Sequence, residues 1–410
     1  MYICLGKNTL LTKGKIKATL IDLENGMLYH LDTDVVHLLD EVLDREFVKD
    51  LFSQEEIDII DYLLEHGLLV KAPKQHVQNS ICLDSSNSKK SFAWIEVTDQ
   101  CNLRCKHCYN ESSCHKTNRM CIDTFRIVVD SLVECGITTV QLIGGEPLIL
   151  GDELIEMMDY LKEKNLSIEV FTNGTLLSNE LAGYFARNNI RVALSVYSYN
   201  PKEHDEVTTV VGSHKKTMEA ISMLSQHHVK FRVANVLMAG ISIGEKNTDL
   251  FDLKASKSII RMSGRGNLSL LSKEMVRQQL ITKETFSVPV SNNTIKRICN
   301  GHNCFSTKVY IGADTTVYPC VMERRFNYGV IKEQPLKDIL AKHHYATKDH
   351  IDGCKDCEFR YCCFDCRPNS LSNDIYAKPW YCTYDPFSGT WKDTDCFIKE
   401  IEIRYSVSFQ

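Results

Sequence analysis

Cysteine placement divides this chain into two regions suited to metal chemistry. Three of its 18 cysteines stand close together at Cys101, Cys105 and Cys108, and none occurs between Cys135 and Cys299. The second group lies in the last third of the chain: Cys299, Cys304, Cys320, Cys354, Cys357, Cys362, Cys363, Cys366, Cys382 and Cys396. Eighteen cysteines in 410 residues are too dilute for a disulfide-stapled scaffold, which exceeds roughly 8–10% cysteine in a short chain. The pattern predicts metal binding or redox chemistry.

The remaining composition is that of an ordinary globular protein, 43% hydrophobic and 25% charged, long enough for two or three domains. A net charge of −5 argues against nucleic acid as a partner. The first residues lack the basic and apolar segments of a secretory signal, and no apolar run approaches the roughly 18 residues of a membrane span. We therefore expect a cytoplasmic protein that binds neither nucleic acid nor a membrane.

Residues 1–75 are predicted to form a separate winged-helix-like α+β module. Asn25-Gly26 joins two strand-like runs within Ala18 to Leu31, which is a strong hairpin signal. Two helical patterns follow, the second opening at Ser53, and a short strand comes after Gly67. DNA binding is a common use of this shape, but the second helix is acidic and suits phosphate poorly. Residues 76–92 are polar and are predicted to be a linker.

From residue 93 to 285 strand and helix patterns alternate, which predicts βαβ units and a parallel sheet. Residues 286–396 contain short strands and cysteine loops. Residues 397–410 end in a strictly alternating run from Ile401 to Phe409, which predicts a half-buried C-terminal strand.

The spacing C-x3-C-x2-C at Cys101, Cys105 and Cys108 follows a predicted strand. Three such thiolates can hold three corners of a [4Fe–4S] cluster and leave one iron open to a small molecule. A zinc site is the competing interpretation, with His107 or His115 as its fourth ligand.

Polar and glycine motifs follow the next strands in turn. Gly144-Gly145-Glu146-Pro147 comes after the second strand, Asn173 after the third, and Ser195 lies near the end of the fourth. The carboxyl ends of parallel strands form the edge where α/β folds bind ligands. Glycines allow close backbone approach, and Glu146 has the chemistry to accept from an ammonium group.

These residues resemble the radical S-adenosylmethionine (SAM) superfamily over about 93–265. The resemblance implies an α/β fold with a partial (β/α)6 barrel and SAM on the open iron. By position it implies that Gly144, Gly145 and Glu146 hold the methionine moiety. It likewise assigns Asn173 and Ser195 to the ribose side and His107 to the adenine. Many relatives carry Asp-Gly shortly after this serine, whereas here Ser195 is followed by Val-Tyr-Ser.

The C-terminal cysteines are dense and regular, with C-x2-C-x5-C-x2-C from Cys354 to Cys366. A zinc ribbon is the simpler interpretation, but eight thiolates exceed one tetrahedral site and suffice for two Cys4 clusters. The region resembles the SPASM domain of peptide- and protein-modifying radical enzymes. That resemblance implies two auxiliary [4Fe–4S] clusters, and Cys362 beside Cys363 leaves one ligand ambiguous. The first cluster takes Cys299, Cys304, Cys320 and Cys366, and the second takes Cys354, Cys357, Cys363 and Cys382.

The N-terminal module resembles the leader-recognition elements of enzymes that mature ribosomally made peptides, which add the leader as a strand along a sheet edge. The sequence therefore predicts a peptide maturase with three [4Fe–4S] clusters that uses an electron donor such as flavodoxin or ferredoxin. Its product would be a thioether or another crosslink. A sulfatase-maturing enzyme is disfavoured because Val321 stands where those relatives place an acid. The sequence is also compatible with a peptide epimerase and with a non-catalytic iron–sulfur carrier or sensor.

Overall fold

The computed structural model describes residues 1–43, 45–73, 90–242, 256–302, 304–342 and 346–410. Residues 1–73 hold five strands and two helices. They are β1 (Tyr2–Leu5), β2 (Thr9–Lys13), β3 (Ala18–Asp22), β4 (Leu28–Leu31), α1 (Thr33–Val42), α2 (Gln54–Glu65) and β5 (Leu69–Ala72). The predicted hairpin is confirmed as β3 and β4, which pair antiparallel. The predicted linker at 76–92 lies outside the described residues up to position 89, and Phe92 already begins a strand.

Local sequence signals explain both ends of α2. The Ser53 side chain accepts from the backbone N–H of Glu56, and the Glu56 carboxylate accepts from the backbone N–H of Ser53. This capping box satisfies two of the unpaired donors at the start of the helix. At the other end, Gly67 adopts a φ of 68°, a left-handed conformation that glycine tolerates and that stops the helix. β5 then pairs with β1 in a sheet separate from that of β2, β3 and β4.

Six parallel strands form the centre of the molecule, as the strand–helix alternation predicted. They are β6 (Phe92–Thr98), β7 (Thr139–Gly144), β8 (Ser167–Thr172), β9 (Arg191–Ser195), β10 (Phe231–Leu237) and β11 (Ser256–Ile259). The connecting helices are α3 (Ile122–Glu134), α4 (Asp152–Glu163), α5 (Asn179–Arg187), α6 (Pro201–Thr208) and α7 (Ser213–Gln226). Neighbouring strands follow chain order, which is the arrangement of a partial (β/α)6 barrel.

The cysteine-rich region extends this same sheet. Strand β12 (Lys308–Ile311) pairs parallel to β6, and β13 (Thr316–Tyr318) and β14 (Gly329–Val330) follow antiparallel. The remaining elements are α8 (Lys273–Gln279), α9 (Asn292–Cys299), α10 (Leu336–Lys342), β15 (Tyr384–Asp385), β16 (Thr390–Trp391) and α11 (Thr394–Tyr405). In the described ranges, no helix is both long enough and apolar enough to cross a membrane.

The predicted C-terminal strand at 397–410 is wrong, because the structure has helix α11 there. The Asp393 side chain caps the helix by accepting from the backbone N–H of Cys396. Ile398 and Ile401, three residues apart, are buried, whereas Ile403 is 81% exposed. Helical spacing therefore decides burial, and the alternating run from 401 to 409 is fortuitous.

Candidate active site and auxiliary cysteine sites

A cavity of about 270 Å³ opens where the parallel strands end. Its lining includes every residue predicted for the first site except Glu146: Cys101, Cys105, Cys108, His107, Gly144, Gly145, Asn173 and Ser195. The sequence prediction that these residues lie together thus agrees with their positions in the fold.

Backbone hydrogen bonds fix the three-cysteine loop against its neighbours. The Cys101 N–H donates to the Ser113 carbonyl at 3.1 Å, and the Lys106 N–H donates to the Val207 carbonyl at 2.9 Å. Val207 belongs to α6, a short helix that sequence periodicity did not predict although Asn200 and Pro201 mark its start. This helix consequently supports the loop from outside the cavity.

Gly144 and Gly145 stand where the chain passes directly against the backbone of the neighbouring strand. A Cβ on Gly144 would lie 2.2 Å from the Thr98 carbonyl oxygen, and one on Gly145 would lie 2.0 Å from that of Gln100. Both distances are far below van der Waals contact, so only glycine fits at either position. The motif therefore brings bare backbone to the cavity wall.

Glu146 does not line the cavity. Its side chain is fully buried, and it accepts from the N–H of Leu148 at 3.0 Å, the hydroxyl of Thr172 at 2.6 Å and the N–H of Asn173 at 2.8 Å. Burial raises the pKa of this carboxyl group, and the hydrogen bonds oppose that effect. Glu146 thus joins the end of β7 to the turn after β8 and positions both of them.

Asn173 and His107 present polar groups at the cavity. The Asn173 amide nitrogen donates to the Asn102 side-chain oxygen at 3.0 Å and lies 3.9 Å from the Cys101 Sγ. The His107 ring packs edge-on against Tyr197, and its Nδ1 is buried with no hydrogen bond to any described residue. Burial and the nearby Arg265 lower the pKa of His107 to about 4. A neutral imidazole therefore stands at the cavity wall.

Sequence reasoning missed Arg265, which hydrogen-bonds to the loop of Cys101, Cys105 and Cys108. Its Nε donates to the Cys105 carbonyl at 2.8 Å, its Nη2 donates to the Ser112 carbonyl at 3.0 Å, and its own N–H donates to the Cys108 carbonyl at 3.0 Å. Arg261 and Met322 also line the cavity. No signal marked Arg261 and Arg265, because the sequence around them has neither helical nor strand periodicity.

Four predicted auxiliary cysteines surround a second, smaller cavity. They are Cys354, Cys357, Cys363 and Cys382. Cys362 does not line this cavity: it is 2% exposed and its Sγ donates to the Phe359 carbonyl at 3.2 Å. The geometry therefore favours Cys363 over Cys362 at the position that the sequence left ambiguous.

The other predicted set is brought together only in part. Burial raises the pKa of Cys320 to about 12, and Cys366 and Cys304 lie near enough to raise it further. Burial raises the pKa of Cys299, at the end of α9, to about 12, and the charged groups that affect this pKa are those of Asp349 and Arg360. The thiols of Cys304 and Cys366 therefore lie near that of Cys320, and Cys299 remains the predicted fourth ligand.

The described cysteines are not arranged around a single point as in a structural zinc site. Within the described ranges, no three Cys, His, Asp or Glu side chains are placed to hold one metal ion, whereas structural zinc needs four ligands around a single point. Cys101, Cys105 and Cys108 instead line one cavity, and Cys354, Cys357, Cys363 and Cys382 line another, which suits thiolates around a multi-iron cluster.

The fold and site define a SAM-type iron–sulfur barrel protein. Its features are six parallel strands, a three-cysteine loop at their carboxyl edge and a cysteine-rich extension of the sheet. The family model of the radical SAM superfamily matches residues 95–251, and that of SPASM, an iron–sulfur cluster-binding domain, matches residues 299–367. The chain therefore carries a radical SAM domain over residues 95–251 and a SPASM domain over residues 299–367.

Curated relatives match different lengths of the chain. The subtilosin biosynthesis protein AlbA of Bacillus subtilis is 31% identical over 191 residues, which are 45% of this chain and 41% of AlbA. The AdoMet-dependent heme synthase of Nitratidesulfovibrio vulgaris is 23% identical over 354 residues, which are 74% of this chain and 94% of that protein. The match to AlbA therefore spans less than half of AlbA's length.

Solved structures share the fold at low sequence identity. Streptococcus suis SuiB bound to its precursor peptide SuiA superposes with a TM-score of 0.53 at 15% identity, covering 90% of this chain and 98% of SuiB. The protein anSMEcpe with bound AdoMet gives a TM-score of 0.53 at 17% identity, covering 77% of this chain and 97% of that one. These likenesses show a shared fold over the parts of the chain that they cover.

Proposed function

We propose that this chain is a radical SAM peptide maturase that forms a thioether or another crosslink in a ribosomally made precursor peptide. The observation that carries the proposal is the cavity lined by Cys101, Cys105 and Cys108 together with the strand-end residues of a SAM site. The similarity to AlbA, whose name states a role in bacteriocin biosynthesis, supports a peptide as substrate.

The cavity fits the cofactors on its own chemistry. Three thiols, the Gly144-Gly145 backbone and the neutral His107 ring line one space. Cys101, Cys105 and Cys108 would hold a [4Fe–4S] cluster, and SAM would lie on its open side. When bound, this pair supplies one-electron cleavage of SAM to methionine and a 5′-deoxyadenosyl radical that abstracts hydrogen from the substrate.

The chain's own residues orient SAM in this proposal. The Gly144 and Gly145 backbone would border the methionine end, and the side chains of Asn173 and Ser195 would lie on the ribose side. The His107 ring would lie beside the adenine. Glu146 holds these elements together through its buried bonds, in place of the ammonium contact expected from the sequence.

Two auxiliary [4Fe–4S] clusters complete the cofactor set. Cys354, Cys357, Cys363 and Cys382 already share a cavity and would hold one of them. Cys304, Cys320 and Cys366 would hold the other, with Cys299 at the end of α9 as the fourth ligand. A flavodoxin or ferredoxin would supply electrons.

The leader would bind the N-terminal module as an added strand. Among the described residues, the outer edge of β5 pairs with no strand, and Asp61, Glu65, Leu69 and Lys71 line a groove between α2 and β5. A groove beside a free strand edge suits an extended peptide, because main-chain bonds give affinity and side-chain pockets give specificity.

A sulfatase-type mechanism is not supported by the residues near Cys320. Val321 has no proton-accepting group, and the nearest acid in the chain, Glu323, is fully buried and paired with Arg325 at 2.6 Å. That carboxylate is held by its own cation and is not offered to a substrate.

The test is an anaerobic assay with reconstituted protein, SAM and dithionite, read by mass spectrometry. We expect 5′-deoxyadenosine from the wild type and from Cys354→Ala, and none from Cys105→Ala. Short peptides encoded beside the gene are the substrates to add, and each crosslink would remove two hydrogen atoms from the peptide. Cys354→Ala should lose this mass change, and retained SAM cleavage in Cys105→Ala would refute the site assignment.

A further inference from the structure

The N-terminal module rests on the loop that carries three auxiliary cysteines. The β2–β3 turn (residues 14–17) lies against residues 354–363, here called the cysteine loop. The Lys15 N–H donates to the Asp356 carbonyl at 2.8 Å, and the Arg360 Nη1 donates to the Lys13 carbonyl at 2.7 Å. Main-chain groups of the turn thus take part in two bonds to the stretch between Cys354 and Cys363.

Gly14 makes this contact close. A Cβ at this position would lie 2.6 Å from a carboxylate oxygen of Glu358, 2.8 Å from the Glu358 backbone nitrogen and 3.0 Å from the Asp356 carbonyl oxygen. Backbone atoms cannot yield as a flexible side chain can. Any larger residue must therefore push the turn and the cysteine loop apart.

A second part of the module reaches the wall of the auxiliary cavity. The His30 ring of β4 lies 5.2 Å from that of Phe359, measured between centroids, and Phe359 stacks on Phe286 at 4.4 Å. Phe359 and Phe286 line the same cavity as Cys354, Cys357, Cys363 and Cys382. At the tip of the β3–β4 hairpin, the Val290 N–H donates to the Gly26 carbonyl at 2.9 Å.

We propose that the β2–β3 turn, with Gly14 at its closest contact, is a positioning element that holds the cysteine loop in the shape needed by the second auxiliary cluster. The inference rests on the proposed function, because it takes Cys354, Cys357 and Cys363 as ligands. The loop has no regular secondary structure of its own over residues 354–363, so its conformation depends on such outside contacts. The module therefore serves the auxiliary site as well as the leader.

The test compares Gly14→Val and Gly14→Ala with Lys15→Ala. Lys15→Ala is the matched control because the Lys15 side chain is exposed and its contact is made by the backbone N–H. Hydrogen–deuterium exchange of residues 354–363, iron content and the electron paramagnetic resonance signal of the auxiliary cluster are measured in reconstituted full-length protein. We expect Gly14→Val to speed exchange in the loop and to lose about one third of the iron, one of three [4Fe–4S] clusters.

The same variant should retain 5′-deoxyadenosine formation, since its first cysteine site is untouched. Gly14→Ala should fall between Gly14→Val and the wild type, and Lys15→Ala should match the wild type. Wild-type loop exchange and iron content in Gly14→Val would overturn the proposal.

Two further measurements cover a failure to fold and a failure of the proposed function. If Gly14→Val unfolds the whole module, His30→Ala removes the ring contact without added bulk, and unchanged exchange around Phe359 would then count against the proposal. If Cys354→Ala retains all wild-type iron, the proposed auxiliary site is wrong, while the exchange comparison still decides whether the turn holds the loop.

Discussion

At the scale of single residues, the chain separates side chains that border the cavities from side chains that hold the walls in place. Cys363 and Cys362 are adjacent, yet Cys363 lines the auxiliary cavity and Cys362 packs inward against the Phe359 carbonyl. Spacing could not distinguish them, because the choice depends on how the backbone turns between two neighbouring residues.

Serine substitution separates the two cysteines experimentally. We expect Cys363→Ser to abolish or distort the resonance signal of one auxiliary cluster and to lower the iron content. Cys362→Ser should keep both cluster signals and lose only stability, because a hydroxyl replaces a small buried thiol. Iron analysis and low-temperature spectra of the two variants give the answer. The reverse pattern would move the ligand to Cys362.

Glu146→Gln tests the wall-holding role of this residue. In the variant, an NH₂ group replaces one of the two carboxylate oxygens that accept from Leu148, Thr172 and Asn173. At least one buried hydrogen bond is therefore lost, which lowers the free energy of unfolding by about 1–3 kcal/mol. We expect a lower melting temperature and weaker SAM binding in calorimetry. Glu153→Gln is the matched control, since Glu153 is half exposed and pairs with Arg119 at the surface, where such a pair contributes about 0–1 kcal/mol. Equal effects of the two changes would contradict a positioning role for Glu146.

Most residues that line the first cavity could be predicted from the sequence, because they lie at or just after the ends of strands. The end of each parallel strand meets the same edge, so Cys101, Gly144, Asn173 and Ser195 could be placed together without a structure. Sequence reasoning could not show that the Glu146 carboxylate accepts from Thr172 and Asn173, because these partners lie in a separate segment at the end of β8. It also missed Arg265, which donates to the carbonyl of Cys105, a residue more than a hundred positions away in the chain.

At the scale of elements, strand and helix alternation predicted the parallel sheet because most of its segments have a clear period of their own. The prediction for the C-terminal segment was wrong because its hydrophobic residues fit both the strand period of two residues and the helix period of about 3.6 residues. Ile401, Ile403 and Tyr405 would share one face of a strand, whereas a helix turns Ile403 far from Ile401. The Asp393 cap and the burial of Ile398 with Ile401 select the helix.

Paired aspartate substitutions check α11. Ile401 is 4% exposed and Ile403 is 81% exposed, so the helix predicts opposite outcomes for Ile401→Asp and Ile403→Asp. Burying an unpaired carboxylate should destabilise the first variant by at least about 2–4 kcal/mol, and the second should change by at most about 0.5 kcal/mol. Denaturant unfolding measures both. Comparable losses from the two variants would favour the strand.

At the scale of the whole molecule, the barrel and the SPASM region share one sheet. β12 pairs with β6, and Val309, Tyr310 and Ile311 are completely buried. Glu96 of β6 accepts from the Tyr310 hydroxyl, and Arg324 lies over the Tyr310 ring at 4.1 Å. No local pattern could reveal this pairing, because it joins segments more than 200 residues apart in the chain.

Two truncations should therefore behave differently. Residues 1–73 form sheets of their own, so their removal should leave the nine-stranded sheet folded. We expect that protein to cleave SAM, to lose peptide modification and to exchange faster at residues 354–363. Removal of residues 286–410 strips β12 from β6 and exposes a long apolar strand edge, which favours aggregation. Circular dichroism and size-exclusion chromatography compare the two. A monomeric, folded 1–285 fragment would contradict this expectation. It would show that the barrel is stable without a strand from the SPASM region.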